Sequence, residues 1–271
     1  MSSYAAGIDC GSAFCKGALL RKAAAENGAG LINIEKLFTT PSGWNIQESA
    51  AKTLNALYSA MPESAPHPFI TATGYGRERV PNCGKTITEI SAHAAGAEFL
   101  CRGLRTLVDI GGQDCKVIIV EAGKVLEFQM NDKCAAGSGR FLEAVAARLG
   151  AGAYSDGRCE IGNCKMEELL AFEKSAALNS VCVVFAESEI TAMIARGVPR
   201  EAILGGVADA MAARIAALAA RLPINEPACL SGGLAESAGI ARALSRALGL
   251  GVQTLKNGAY AGAIGAALAG L

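Results

Sequence analysis

The chain has 271 residues, 25 basic and 25 acidic side chains and so no formal net charge; 51% of its residues are hydrophobic and 18% charged. These values point to a packed globular protein and argue against a disordered chain or a basic nucleic-acid-binding surface. The start lacks the basic n-region and apolar run of a signal peptide, and the most apolar windows, 208–222 and 259–271, are shorter than a membrane span, so a cytoplasmic protein is expected.

In chain order, residues 4–9 read as a strand ending in Asp9. The turn Cys10-Gly11-Ser12-Ala13 follows, then a second strand at 15–20 and a third at 31–38. Ile46, Ala50, Leu54, Leu57 and Met61 have helical spacing. Residues 68–73 form a strand running into Gly74-Tyr75-Gly76-Arg77, and 88–100 a helix. The opening pattern then returns: strand, Asp109, the turn Gly111-Gly112-Gln113-Asp114, a partner strand at 115–120 and another at 124–129. Asp109 stands 100 positions after Asp9, and a repeat of this kind means two similar lobes. Helices are expected at 135–149, 166–175, 183–196 and 200–221. A strand at 227–230 runs into Ser231-Gly232-Gly233, followed by a helix at 237–248, a strand at 252–255 and a helix of small residues at 259–271.

Two glycine-rich hairpins, each behind an aspartate, make a phosphate clamp. Turns without Cβ atoms let backbone N–H groups point at phosphate oxygens, and an aspartate at a strand end suits a hydrated Mg²⁺. The turn at Ser231-Gly232-Gly233 leaves room for a flat base or ribose. Each turn alone is also what an ordinary hairpin tip looks like. A P-loop is excluded, because no GxxxxGK[ST] occurs.

Taken in order, the three turns resemble the phosphate-1, phosphate-2 and adenosine motifs of the acetate kinase, sugar kinase, actin and heat-shock-chaperone superfamily. That resemblance implies an α/β, two-lobed actin-like ATPase with ribonuclease H-like duplicated βββαβα lobes and nucleotide in the interlobe cleft. It implies a first lobe at 1–104, with the C-terminal helix 258–271 packing back on it, and a second at 105–257. Asp9 and Asp109 would organise Mg²⁺ and the attacking water. Gly11, Ser12, Ala13 and Lys16 would meet ATP or ADP phosphates from one side, and Gly111, Gly112 and Gln113 from the other. Gly232 and Gly233 would back the adenosine. Lys16 could equally be a solvated strand residue.

Ten cysteines stand out. In a cytoplasm they stay reduced, and with no CxxC pair and only two histidines a zinc finger is excluded. Cys159 and Cys164 have no ligand-pair context, and Cys10, Cys15 and Cys115 read as small fillers. Cys134 and Cys182 each precede an expected helix, whose N-terminus favours a thiolate or an anionic cluster; a buried core cysteine near a cap would look the same. The segments Asn131-Asp-Lys-Cys134-Ala-Ala-Gly-Ser-Gly-Arg-Phe-Leu-Glu143 and Asn179-Ser-Val-Cys182-Val-Val-Phe-Ala-Glu-Ser-Glu189, with Asp109-Ile-Gly-Gly-Gln-Asp114 and Thr73-Gly-Tyr-Gly-Arg77, resemble signature stretches of the 2-hydroxyacyl-CoA dehydratase activators. That family includes the ATPase subunits of benzoyl-CoA reductase. The resemblance implies a homodimer in which both copies contribute Cys134 and Cys182 to one shared [4Fe–4S] cluster. A flavodoxin or ferredoxin would donate the electron, and a dehydratase or CoA-ester reductase would accept it. The rivals are an iron-free small-molecule kinase of the same fold and a nucleotide-binding regulator without turnover. Neither a nucleic-acid nor a membrane partner is expected.

Overall fold

The computed structural model describes residues 3–23, 30–132, 137–150, 170–171, 174–178 and 183–271. Two sheets carry the architecture. The first holds β1 (Ser3–Cys10), β2 (Phe14–Lys22), β3 (Ile32–Pro41), β4 (Phe69–Thr73) and the two-residue β5 (Lys85–Thr86), in the order β3-β2-β1-β4-β5. The second holds β6 (Thr106–Ile110), β7 (Cys115–Glu121), β8 (Lys124–Asn131), β9 (Ala228–Gly232) and β10 (Val252–Gln253), in the order β10-β9-β6-β7-β8. Each sheet is an antiparallel meander extended by parallel strands.

The leading hairpins of the two halves match in register. Asp9 pairs with Lys16 across β1–β2, as Asp109 pairs with Lys116 across β6–β7. The hairpin turns close with the same bond: Gly11 N–H to Phe14 C=O at 3.0 Å, and Gly111 N–H to Asp114 C=O at 2.9 Å. Even the register shift recurs, between Leu19 and Leu20 in one half and between Ile119 and Val120 in the other.

Helix α1 (Ile46–Tyr58) covers the outer face of the first sheet, burying Leu54 and Leu57 against Ile8 and Leu19. On the outer face of the second sheet lie α3 (Gly139–Arg148), α4 (Val183–Ala195), α5 (Arg200–Ala219) and α6 (Ala238–Leu248), which share its largest core. Helix α5 is long and apolar enough to cross a membrane by length and composition, more than the 208–222 window indicates. Its buried residues, from Ala202 to Ala219, instead pack into that core. The helix expected from 135 begins at Gly139: Ser138 is its N-cap with extended backbone (φ −101°, ψ 155°), and two glycines flank it. Most of the expected 166–175 helix lies outside the described residues, and its last two positions are irregular.

Between the sheets lie α2 (Glu89–Leu100) and α7 (Ala261–Leu268). Helix α2 packs its alanines on Leu107, Ile118 and Cys229 of the second sheet, and α7 packs Ala263 and Ile264 on Ala18 and Leu20 of the first. Where they cross, a Cβ on Gly96 would meet the Ala261 carbonyl oxygen at 1.9 Å, and one on Gly265 the Ala92 carbonyl oxygen at 1.8 Å. Backbone touches backbone there, and only glycine permits it. Gly265→Ala is therefore expected to destabilise by about 3 kcal/mol, the upper part of the overpacking range. Urea unfolding would measure it, with Gly233→Ala, whose Cβ would meet nothing within 4 Å, as the unchanged comparator. An unshifted midpoint for Gly265→Ala would refute the contact.

Candidate active site

The geometry follows from the strand pairing. Asp9 and Asp109 are the next-to-last residues of β1 and β6, which pass straight into their turns, and both acids and both turns line the cleft between the sheets. Ser42 braces the first turn, its Oγ donating to the Gly11 carbonyl at 2.6 Å and its N–H to the Ala13 carbonyl at 2.9 Å. The turns oppose each other closely: a Cβ on Gly112 would lie 3.3 Å from the Ala13 Cβ and 3.4 Å from the Ser12 Oγ. Between them opens a cleft of about 890 Å³. Asp9, Gly11, Ser12, Ala13, Lys16, Asp109, Gly111, Gly112, Gln113, Gly232 and Gly233 all line it. Cys134 and Cys182, the two candidate cluster ligands, lie outside the described residues. Cys10, Cys15 and Cys115 are buried in the sheet cores, with the Cys10 and Cys15 sulfurs 3.0 Å apart behind the first turn.

The third turn has a counterpart in the first half. Gly232 (φ +84°) follows Ser231, which pairs with Asp109; Gly74 (φ +85°) follows Thr73, which pairs with Asp9. A Cβ on Gly232 would meet the Ile110 carbonyl oxygen at 2.2 Å, and one on Gly74 the Asp9 Oδ1 at 2.5 Å. Both strands turn away at glycines that let the chain pass close to an aspartate.

Beneath the cleft lies a charged cluster that the sequence motifs do not mark. His93 of α2 donates from Nδ1 to Asp109 Oδ1 at 3.0 Å, and its Nε2 lies 3.6 Å from Asp9 Oδ2. Ser231 Oγ donates to the same Asp109 Oδ1 at 2.8 Å. Lys116 donates to Glu89 at 2.9 Å, to Asp114 at 2.9 Å and to Asp109 Oδ2 at 3.3 Å. Burial opposes charge on Lys116 and His93, but the surrounding carboxylates outweigh it: Lys116 is held well above the usual lysine range, and His93 is pushed up to about 10. Burial likewise opposes the charge on Asp109, yet His93 and Lys116 hold it well below the usual carboxylate range. At Glu89 burial prevails and raises its pKa despite Lys116. Glu89, His93 and Asp109 offer ligand atoms within 4.8 Å of one another. The Lys116 ammonium already bridges the two carboxylates, which makes the trio part of an ion cluster. Signals for it were present: Glu89 and His93 are four apart on one helix face, and Lys116 repeats the place of Lys16.

The lysines have parted ways. Lys116 is buried among acids, whereas Lys16 lines the open cleft and forms no ion pair among the described residues. A cation free to meet phosphate thus stands on one side of the cleft and a structural one on the other.

The sequence profile of the BadF/BadG/BcrA/BcrD ATPase family matches residues 6–270. The (R)-2-hydroxyglutaryl-CoA dehydratase activating ATPase of Acidaminococcus fermentans is 36% identical over 270 residues, 99% of this chain and 97% of the relative. A benzoyl-CoA reductase component from Thauera aromatica is 32% identical over 209 residues, 74% of this chain and 71% of the relative. The solved structure of the activator of the 2-hydroxyisocaproyl-CoA dehydratase from Clostridium difficile with bound ADPNP superposes with a TM-score of 0.82 at 33% identity, covering 98% of this chain and 94% of that one. MreB 5 of Spiroplasma citri, at 13% identity and a TM-score of 0.53, covering 97% and 94%, shares the fold alone.

Two outcomes check the electrostatics. Lys116→Met leaves three carboxylates without their shared cation and should destabilise by about 3–5 kcal/mol, while Lys16→Met should stay within about 0.5 kcal/mol. Equal urea midpoints for the two variants would contradict the burial of Lys116. Because the folded pKa of His93 is raised, its imidazolium stabilises fully below the ordinary histidine value, and that contribution is lost as pH rises through about 10. Urea midpoints should fall from about pH 7 to about pH 10, and His93→Gln should flatten the slope; identical slopes would show that His93 carries no charge.

Proposed function

The chain belongs to the BadF/BadG/BcrA/BcrD ATPase family and is an ATPase, and from that premise we propose that its ATP hydrolysis activates a 2-hydroxyacyl-CoA dehydratase or a related CoA-ester reductase by delivering a low-potential electron. Its form is a cytoplasmic homodimer in which both copies hold one shared [4Fe–4S] cluster through Cys134 and Cys182. The first lobe is residues 1–104 with 258–271 packed back on it, the second 105–257. A flavodoxin or ferredoxin supplies the electron.

Asp9 and Asp109 are the carboxylates that would organise a hydrated Mg²⁺, through its water shell, and the attacking water; when bound, the ion would supply charge neutralisation at the phosphate. Gly11, Ser12, Ala13 and Lys16 bind phosphates from the first sheet, and Gly111, Gly112 and Gln113 from the second. Gly232 and Gly233 lie behind the adenosine.

The described cysteines do not gather with other ligands into a cluster site: the single group of three or more metal-ligating side chains among the described residues is Glu89, His93 and Asp109. Cys134 and Cys182 take the ligand role through the family resemblance, and two thiolates per protomer complete a four-thiolate site only in a symmetric dimer. A [4Fe–4S] cluster supplies a one-electron carrier whose potential depends on charge, hydrogen bonds to sulfur and exposure.

One hydrogen bond carries this reading. Gly139, the first residue of α3, donates its N–H to the Gly111 carbonyl at 2.9 Å. The helix that follows Cys134 thus starts on the second phosphate turn, and Gly139 and Glu143 line the nucleotide cleft. A nucleotide that shifts that turn would move the start of α3, which lies five positions after Cys134 in the chain.

Protein purified without oxygen should be brown, absorb near about 400 nm and contain about four iron and four acid-labile sulfide per dimer, as expected of this cluster type. Cys134→Ala should lose the iron and the electron transfer while retaining ADP binding. Iron-free protein that phosphorylates a small molecule would establish the kinase reading instead, and nucleotide occupancy without turnover the regulator.

A further inference from the structure

His93 has no assigned role, yet it is the side chain that touches both catalytic acids. It is 4% exposed and lies on the floor of the cleft. Its two ring nitrogens address carboxylates from different sheets: Nδ1 faces Asp109 of β6 at 3.0 Å and Nε2 faces Asp9 of β1 at 3.6 Å. An imidazole is rigid, so the two nitrogens fix the two acids relative to each other through one planar body.

The ring is itself immobilised. Its helix crosses α7 with backbone contact at Gly96 and Gly265. Above it, a Cβ on Gly262 would lie 2.7 Å from His93 Nε2 and 2.6 Å from Asp9 Oδ2, so the glycine packs its bare backbone on the pair. Ser231 Oγ sits 3.3 Å from Nδ1 and donates to the Asp109 oxygen that the ring also meets. With Lys116 on Oδ2, both Asp109 oxygens have protein donors. Asp109 is thereby locked in orientation, whereas Asp9 has the longer contact to the ring.

We propose that His93 is a positioning residue for ATP hydrolysis: acting through Asp109 and Asp9, it holds one carboxylate of each sheet in the geometry in which they orient the attacking water. The proposal rests on the reading of Asp9 and Asp109 as the acids of the reaction. It assigns no proton transfer to the ring. It also explains why a histidine stands among small residues on the buried part of α2: Ala92, Ala94, Gly96 and Ala97 allow close packing, and His93 spans from one sheet to the other.

The test is ATP turnover and ADP affinity of full-length protein purified without oxygen, compared with Asp9→Asn, His93→Ala, His93→Gln, Ser231→Ala and the His93→Ala/Ser231→Ala double variant. His93→Ala should lower kcat by about 30- to 100-fold, the scale on which misplacing a reacting group by about an ångström acts, with ADP affinity changed by less than about threefold. His93→Gln, which keeps an N–H directed at Asp109, should recover about a tenth to a third of the wild-type rate. The double variant should lose less than the product of the single losses, because both groups hold the same oxygen. His93→Ala turning over near the wild-type rate overturns the proposal. So does a loss shared by Ala and Gln and matched by equal losses of ADP affinity and melting temperature, the mark of a space-filling side chain. If the Ala variant does not fold, the Gln variant decides: a folded, ADP-binding protein with a reduced kcat supports positioning, and an unchanged kcat rejects it. Asp9→Asn with undiminished turnover would remove the acids themselves from the reaction, and the role of His93 with them. An inactive Asp9→Asn beside a fully active His93→Ala would remove His93 alone.

Discussion

Two largely buried carboxylates near the ends of two strands must coexist at the floor of one cleft, and much of the molecule is arranged around that constraint. Asp9 and Asp109 are 7% and 1% exposed. Like charges on either side of a single imidazole ring repel each other, the more so out of water. The cost is offset by cations brought from elsewhere: Lys116 from the adjoining strand and His93 from the helix between the sheets. Those cations have to be buried too, which requires Glu89 and Asp114 beside Lys116. The requirement spreads outward. To bring His93 within reach, α2 must lie close to α7, and that approach is possible only where glycines 96 and 265 face backbone.

The same constraint separates what the two halves kept from what they changed. Strand pairing, turn closure, the irregularity in the second hairpin strand and the glycine exit beside each aspartate are held in common, because each serves to aim an acid and a loop at the gap. The lysines differ because only one of them has acids around it. Lys16 faces the cleft with no ion pair among the described residues, and its repeat at position 116 has become an internal counter-ion. The interface helices are exchanged as well. Helix α2, which follows the strands of the first half, lies on the second sheet, and α7, which follows those of the second half, lies on the first. Each sheet therefore carries a helix from the other half of the chain, and a displacement of one is felt by both.

What was legible in the chain was whatever depends on local pattern. The strand–aspartate–glycine words mark β1, β2, β6 and β7 and the cleft turns, since a tight turn without Cβ atoms is a local demand. Helical spacing marks α1. The two-residue β5 was not legible, because two residues carry no period, and α3 was placed too early because Ser138 between two glycines overrides the helical pattern around it. The ion cluster beneath the cleft was missed for a different reason. Glu89 and His93 are ordinary residues on an ordinary helix face. Their meaning comes from Asp109 and Lys116, which fold against them from the other sheet and are not neighbours in sequence. Lys116 had a readable clue, its repeat distance from Lys16, but the repeat argues for the same role and the tertiary charges impose the opposite one.

The coupling proposed for this fold needs a rigid path from the second turn toward the cysteine segments, and its described part runs through α3 and α4. In the proposed site, phosphate oxygens would address N–H groups of the turn at Gly111-Gly112-Gln113, which lines the cleft. The carbonyl of Gly111 holds the first N–H of α3, and α3 packs Phe141, Leu142 and Val145 into the core that also receives Ile190 and Met193 of α4. Val183, the first residue of α4, directly follows Cys182. A close-packed core transmits a shift of one helix to its neighbour instead of absorbing it. One turn thereby reaches both helices that adjoin the cysteine segments without crossing a flexible linker. The glycine at 139 has a mechanical consequence: a Cβ there would stand 3.3 Å from the Gly111 carbonyl oxygen, so a side chain would crowd the bond by which the nucleotide turn grips the helix.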